Sequence, residues 1–269
     1  MLINILISVL IIRLLGQFYL SRINDKYLLS FNYLNLSANV KALFTQEEFE
    51  KTVQYNLEKS QFNIYESFFK TCIVLAICCP PFPAYLYSFF DAKLASQVSF
   101  LLCIVLVEFL WSAGTTYIFQ FYIEDKYGFN KSTKLLWLKD TLVSLLLTVL
   151  LMVIAFSAFV YFSTNVENWW LWSYLFFISF MFFMMVLSPY VISPLFNKFT
   201  ELNDQKLKEE LMSLAQRSKF NAKTILMMDG SKRSMHSNAY FTGFGRFRRI
   251  ILYDTLVDQL SVTELKAVL

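Results

Sequence analysis

Long apolar blocks constrain this chain more than anything else in it. A backbone that crosses a bilayer must satisfy its own N–H and C=O groups, so an apolar block of about 20 residues has to be helical. Five such blocks stand at about 1–20, 68–90, 98–122, 141–162 and 169–196. With 57% apolar residues, 16% charged residues and a mean hydropathy of +0.48, a soluble domain of 269 residues is excluded. The blocks predict an α-helical polytopic membrane protein with five transmembrane helices. The first is interrupted by Arg13 and Gln17 and has no small-residue cleavage site, so it reads as a retained span. The second is broken by Cys79-Pro-Pro-Phe-Pro83, a cluster that kinks or unwinds a helix. Trp169, Trp170 and Trp172 stand where an aromatic belt meets the interface.

Orientation follows from the connections. Loop 21–66 carries Arg22, Lys26, Lys41, Lys51 and Lys59, and loop 123–139 carries Lys126, Lys131, Lys134 and Lys139. The alternate loops, 91–97 and 164–169, have only Lys93 between them. The positive-inside rule then places loops 21–66 and 123–139, and everything after the fifth block, in the cytosol. Within 21–66, Thr45 and Glu48 form a capping-box pattern, with Phe49, Val53 and Leu57 at helical spacing behind it. This predicts an amphipathic surface helix.

The division is a membrane domain over 1–196 and an α+β segment over 197–269. Asn203 or Asp204 caps a helix striped by Leu207, Leu211 and Leu214. Ile225–Met228, His236–Phe241 and Ile250–Tyr253 read as strands, separated by the Asp229-Gly230 turn and a Gly243/Gly245 break. Ser261-Val-Thr-Glu264 is a second capping box, opening a helix over 262–269 with no stop signal.

Chemistry-bearing residues are few. His236 is the single histidine, too little for a zinc site of three or four ligands. Cys72, Cys78, Cys79 and Cys103 all lie in apolar blocks without metal-ligand spacing. There is neither a P-loop nor a G-x-S-x-G elbow. Glu108, mid-block in the third span, needs a partner or a water-filled cavity, and Arg13 is the candidate partner. Lys232, Arg233, Arg246, Arg248 and Arg249 read as a solvated face, or one drawn to anionic lipid; no nucleic-acid partner is expected.

Several runs are similar to one family. Gly230-Ser-Lys-Arg-Ser-Met-His-Ser-Asn-Ala-Tyr-Phe241, Arg249-Ile-Ile-Leu-Tyr-Asp-Thr-Leu256 and Pro194-Leu-Phe-Asn-Lys-Phe-Thr200 resemble the type I CAAX prenyl proteases, integral-membrane zinc metalloendopeptidases. So do Ile123-Glu-Asp-Lys-Tyr-Gly-Phe-Asn130 and Gln54-Tyr-Asn-Leu-Glu-Lys-Ser-Gln-Phe62. Gly114 departs from the pattern, standing where the family has a proline that bends the helix.

The resemblance implies a bundle of seven spans around a water-filled chamber, with zinc held by an H-E-x-x-H helix and a later glutamate. It implies hydrolysis of peptide bonds in prenylated CAAX or other membrane-associated peptides. Segment 197–269 would be the incomplete N-terminal part of a cytosolic metalloprotease domain, ending just before the first zinc histidine. No catalytic or metal residue is therefore expected within the chain, and no zinc for the chain by itself. His236, Asn238, Ala239 and Tyr240 match the strand that resembles the family's substrate-pairing edge, with His236 and Asn238 expected on one strand face. The expected partners are the lipid bilayer and a peptide or prenylated peptide, in the endoplasmic reticulum or a bacterial inner membrane. The alternatives are a non-catalytic membrane binding partner or regulator, and a transporter suggested by Glu108, Arg13 and the proline-broken span.

Overall fold

The computed structural model describes residues 2–42, 44–202, 204–220, 222–243 and 248–269. Asn203, Gly245 and Arg246, singled out above, lie outside the described residues. The chain forms two compact units, Met1–Tyr127 and Gly128–Leu269.

The first unit is helical. Helix α1 covers Leu2–Ser30, a short α2 Ala38–Lys41, α3 Gln46–Cys78, α4 Phe82–Tyr87 and α5 Leu94–Ile118, which continues as a π-turn over Phe119–Glu124. The expected loop 21–66 is thus mostly helix, because nothing after the apolar block stops α1 before Phe31. Thr45 caps α3 as expected: its Oγ1 accepts from the Glu48 N–H at 3.2 Å and Glu48 Oε2 accepts from the Thr45 N–H at 2.7 Å. The expected surface helix and the first part of the second apolar block, 68–78, are one 33-residue helix, about 50 Å long at 1.5 Å per residue. It stops at Cys78, where the residue preceding Pro80 is driven out of helical geometry (Cys79 φ −98°, ψ 128°).

Glu108 pairs with Lys70 of α3 at 2.9 Å, not with Arg13. Sequence distance gave no guide, because α3 brings its own cation to that depth. Lower on α3, the buried Tyr55 donates to Glu124 and meets Tyr127 edge-on at 5.2 Å. Burial, then that bond, push the Tyr55 phenol far above its usual pKa.

The second unit joins two long helices to a sheet. Helix α6 covers Lys134–Asn165 and α7 Trp169–Leu187; a π-turn at Ser188–Ile192 leads into α8, Ser193–Phe196. Among the described residues, four helical stretches are long and apolar enough to cross a membrane: Ile3–Ser30, Leu94–Glu124, Lys134–Asn165 and Trp169–Phe196. The remaining expected span, 68–90, is divided between the end of α3, the bend at Cys79–Pro81 and α4, so no single helix covers it.

Strands β1 (Phe199–Glu201), β2 (Thr224–Met228), β3 (Ala239–Thr242) and β4 (Arg249–Tyr253) form one sheet in the order β1-β2-β4-β3. The central β2 and β4 are parallel, with Ile225 opposite Ile250, while β1 and β3 are antiparallel edges. The central pair is apolar on successive residues because both faces are covered. Helix α9 (Gln205–Arg217) contributes Leu207, Leu211 and Ala215 to the core, α10 (Asp254–Gln259) Leu256, and α11 (Val262–Val268) Leu265. Each fully buried leucine or isoleucine here stabilises the unit by about 1.5–3 kcal/mol. Leu214, expected in the stripe, is only half-buried, and Ala215 takes the inward position. Asp204 Oδ1 caps α9 by accepting from the Leu207 N–H at 3.0 Å, and Ser261 and Glu264 close their capping box at the start of α11.

Candidate substrate-pairing edge and its support

The segment from Asp229 to Thr242 is held from beneath, residue by residue. Asp229 Oδ1 accepts from the Lys198 N–H at 2.7 Å, fixing the end of β2 against the approach to β1. Gly230 lies against the Tyr253 ring, where a Cβ would stand 2.5 Å from Cδ2, so a side chain is excluded. Ser231 donates through its N–H (2.8 Å) and hydroxyl (2.5 Å) to the Asp254 carboxylate, which also accepts from the Thr255 N–H at 2.8 Å. Burial raises the Asp254 carboxyl, but these hydrogen bonds outweigh it and hold the pKa below its usual value.

Arg233 is the hub. Its Nε and Nη2 lie 2.9 and 2.8 Å from Asp140 Oδ2 of α6, Nη1 donates to Asn197 Oδ1 at 3.0 Å, and Nη2 also donates to the Phe196 carbonyl. One planar guanidinium thereby ties the loop to α6 and to the end of α8. Around it, Asn130 bridges Ser234, Lys131 N–H donates to the Arg233 carbonyl at 3.0 Å, and Met235 N–H to the Phe129 carbonyl at 3.0 Å.

Two members of the expected basic face are engaged as well. The Arg249 guanidinium lies 3.6 Å from the Tyr190 ring centroid and that of Arg248 5.3 Å from the Phe220 ring. The solvated-face expectation holds for Lys232, which is exposed, and fails for Arg233, Arg248 and Arg249, which are part-buried. Charge counted along the sequence does not reveal a carboxylate or ring brought in by another element.

His236 and Asn238 are not strand residues, since β3 begins at Ala239, and the expectation of a shared strand face fails with that boundary. The cause is the 129–131 backbone, which pairs with 233–235 and bends the chain before the sheet. His236 is exposed, its ring stacks on Phe129 at 4.5 Å, and its carbonyl accepts from Thr255 Oγ1 at 3.2 Å. Tyr240 turns inward, its hydroxyl 3.8 Å from Met228 Sδ and its ring 6.3 Å from that of Tyr253. Burial, then Tyr253, push its phenol upward.

The outer edge of β3 follows from the ladder. Tyr253 N–H donates to the Asn238 carbonyl at 3.0 Å, so that pair and Tyr240–Ile251 are the hydrogen-bonded ones. Ala239 and Phe241 then direct their N–H and C=O groups away from β4. The Ala239 N–H is met by the Asn238 side-chain oxygen at 2.8 Å, while Phe241 is 52% exposed. The site is a sheet edge whose first donor carries a side-chain cover.

Comparison with known proteins shows the family. The N-terminal family profile of the CAAX prenyl proteases, described as five membrane helices, matches residues 30–198, and that of peptidase family M48 matches 201–269. The chain belongs to the CAAX prenyl protease family. A CAAX prenyl protease 1 homolog of Arabidopsis thaliana is 33% identical over 238 residues, covering 83% of this chain and 56% of its own length. CAAX prenyl protease 1 of Saccharomyces cerevisiae is 38% identical over 183 residues, covering 66% of this chain and 40% of its own. The crystal structure of S. mikatae Ste24p superposes with a TM-score of 0.82 at 30% identity, covering 100% of this chain and 65% of that one. The chain thus spans about half the length of the curated relatives it matches.

Family M48 peptidases are in general zinc enzymes. Among the described residues no three His, Cys, Asp or Glu side chains are grouped as a metal site requires. His236 is committed to a ring stack. These residues do not fit a zinc donor set, and no hydrolytic step is assigned to them.

Arg233, Asp229, Ser231 and Phe241 were missed as supporting and edge residues. All lie within or beside the run that carries the family resemblance, which was the available signal.

Proposed function

We propose that this chain supplies the membrane domain and the substrate-side wall of a zinc metalloendopeptidase of the CAAX prenyl protease type. In the whole protein the reaction is hydrolysis of peptide bonds in prenylated CAAX or other membrane-associated peptides. No metal-holding role is assigned to the described residues of this chain. The membrane domain extends to about residue 196 with five spans, one of them the proline-broken block at 68–90. Residues 197–269 belong to the peptidase domain and face the cytosol with loops 21–66 and 123–139, in the endoplasmic reticulum or a bacterial inner membrane. Nucleic acid is not a partner.

One observation carries the reading: among the described residues β3 pairs on one side only, and Ala239 and Phe241 turn their backbone groups away from β4. An extended peptide adding there gains main-chain hydrogen bonds with little demand on its sequence. Asn238 acts as a placeholder, its carboxamide oxygen covering the Ala239 N–H until a substrate carbonyl replaces it. His236 flanks the strand start, and Tyr240 anchors β3 from inside.

The test is peptide cleavage by the whole protein carrying Phe241→Pro. Proline removes an outward donor while sparing the β4 ladder, and edge strands tolerate it. Cleavage of a farnesylated CAAX peptide is expected to fall by about tenfold or more through KM and kcat together, the weight of one lost charge-free hydrogen bond plus misplacement. Undiminished cleavage with intact melting behaviour would remove the edge from the mechanism.

A further inference from the structure

Helix α10 is six residues long, yet with its N-cap it grips the chain leading into β3 from four positions. Asp254 accepts from the Ser231 N–H and hydroxyl at 2.8 and 2.5 Å. Thr255, only 5% exposed, donates its hydroxyl to the His236 carbonyl at 3.2 Å. Gln259 Oε1 accepts from the Ser237 hydroxyl at 2.6 Å. The N-cap residue, Tyr253, donates its N–H to the Asn238 carbonyl at 3.0 Å. Thr255 and Gln259 stand four residues apart, so they lie on one face of the helix and meet consecutive residues of the incoming chain.

The strand itself shows what this clasp is needed for. Only Ala239–Thr242 pair with β4, and four residues of ladder offer little resistance to sliding. A slip by one residue would turn every side chain of β3 to the other face and exchange its inward and outward backbone groups. The Ala239 and Phe241 N–H groups would then point at β4. Bonds from 236 and 237 to α10 prevent this, because they fix the chain immediately before the first paired residue.

The same short helix leads directly into α11. The Leu260 N–H closes α10 on the Leu256 carbonyl at 3.2 Å, and Ser261 caps the next helix. Helix α11 is held in turn by Leu265, 1% exposed in the core, and by Lys266 with Glu210 of α9 at 3.0 Å. The edge strand and α11 are thus both referenced to one rigid turn of chain.

We propose that α10 is a register clasp, with Thr255 and Gln259 as positioning residues that set where a peptide lying on β3 stands relative to α11. The inference rests on the reading of β3 as the peptide-pairing edge. Neither residue touches the peptide; both act through 236–238, the residues that lead into the edge. Loss of the clasp therefore leaves the outward donors of β3 in place and misplaces what they hold.

The experiment is cleavage of a farnesylated CAAX peptide by the whole protein, with the cut position read by mass spectrometry. Thr255→Val, and Ser237→Ala combined with Gln259→Leu, should each lower kcat about tenfold while KM stays within about twofold, as for a bound but misplaced substrate. Both should yield products cut at more than one bond. Thr255→Ser, which keeps the hydroxyl, should restore the parent kcat and the single cut. Asp258→Asn is the control, since Asp258 is exposed on the same helix and has no hydrogen bond to 231–238 among the described residues. Hydrogen exchange gives a readout without catalysis: the Tyr253 amide should exchange faster in the clasp variants, with circular dichroism melting confirming that they are folded. If Phe241→Pro impairs cleavage but the clasp variants keep the parent kcat and a single cut, the edge reading stands and the clasp is overturned. If Phe241→Pro leaves cleavage intact, the edge reading falls and takes this inference with it.

Discussion

Replacing Arg233 by Met removes a side chain that joins the 229–242 loop to α6 and to the end of α8. Three acceptors lose a charged donor: Asp140, Asn197 and the Phe196 carbonyl. The Arg233 and Asp140 side chains are only 22% and 24% exposed, so the pair is not a screened surface contact. Removing one partner of a buried ion pair costs about 3–5 kcal/mol; scaled down for the residual exposure, about 3 kcal/mol is expected here. For a cooperative unit of this size that corresponds to a drop in Tm of roughly 6–12 °C. Near-ultraviolet circular dichroism melting in detergent measures it. The double variant Arg233→Met with Asp140→Leu should regain much of the loss, because no orphaned carboxylate remains. Hydrogen exchange supplies an independent readout: the Lys131, Ser234 and Met235 amides, bonded around Arg233, should exchange faster than those of β2. A Tm within about 1 °C of the parent, or single effects that simply add, would show that the hub holds nothing.

Four further outcomes follow from the same geometry. Gly230→Ala should destabilise the second unit by about 1–3 kcal/mol in denaturant titration through its clash with Tyr253, and Tyr253→Leu should relieve most of that. Leu211→Ala, in the centre of the α9–sheet core, should cost about 2–5 kcal/mol by the same titration. Glu108→Gln should lower the melting temperature by leaving Lys70 unpaired, whereas Lys70→Met with Glu108→Leu should be neutral or stabilising. Because the Asp254 pKa is lower folded than unfolded, its stabilisation is present above the unfolded value near ~3.9 and is lost as pH falls through the folded one; Asp254→Asn should flatten that part of the acid-stability curve.

Local signals were legible wherever neighbours in sequence do the work. The capping boxes at Thr45 and Ser261, the Asp204 cap and the apolar runs of β2 and β4 stand where residue type and spacing place them, because each depends on atoms within about four positions. Helix limits were less legible. Polar residues such as Asn24 and Lys26 end an apolar block without ending a helix, so α1 runs on to Ser30 and α3 fuses two expected elements.

By itself the sequence determined that the chain is a helical membrane protein, where its caps and central strands lie, and, through motif order, its family. Hydropathy and local backbone chemistry do not depend on what else is nearby. Only the tertiary structure decided that Glu108 meets Lys70, that Arg233 is a tether and not a solvated charge, and that β3 starts after His236 and, among the described residues, pairs with β4 alone. Those outcomes depend on which distant segment arrives beside each residue, from 38 positions away for Lys70 to 93 for Asp140.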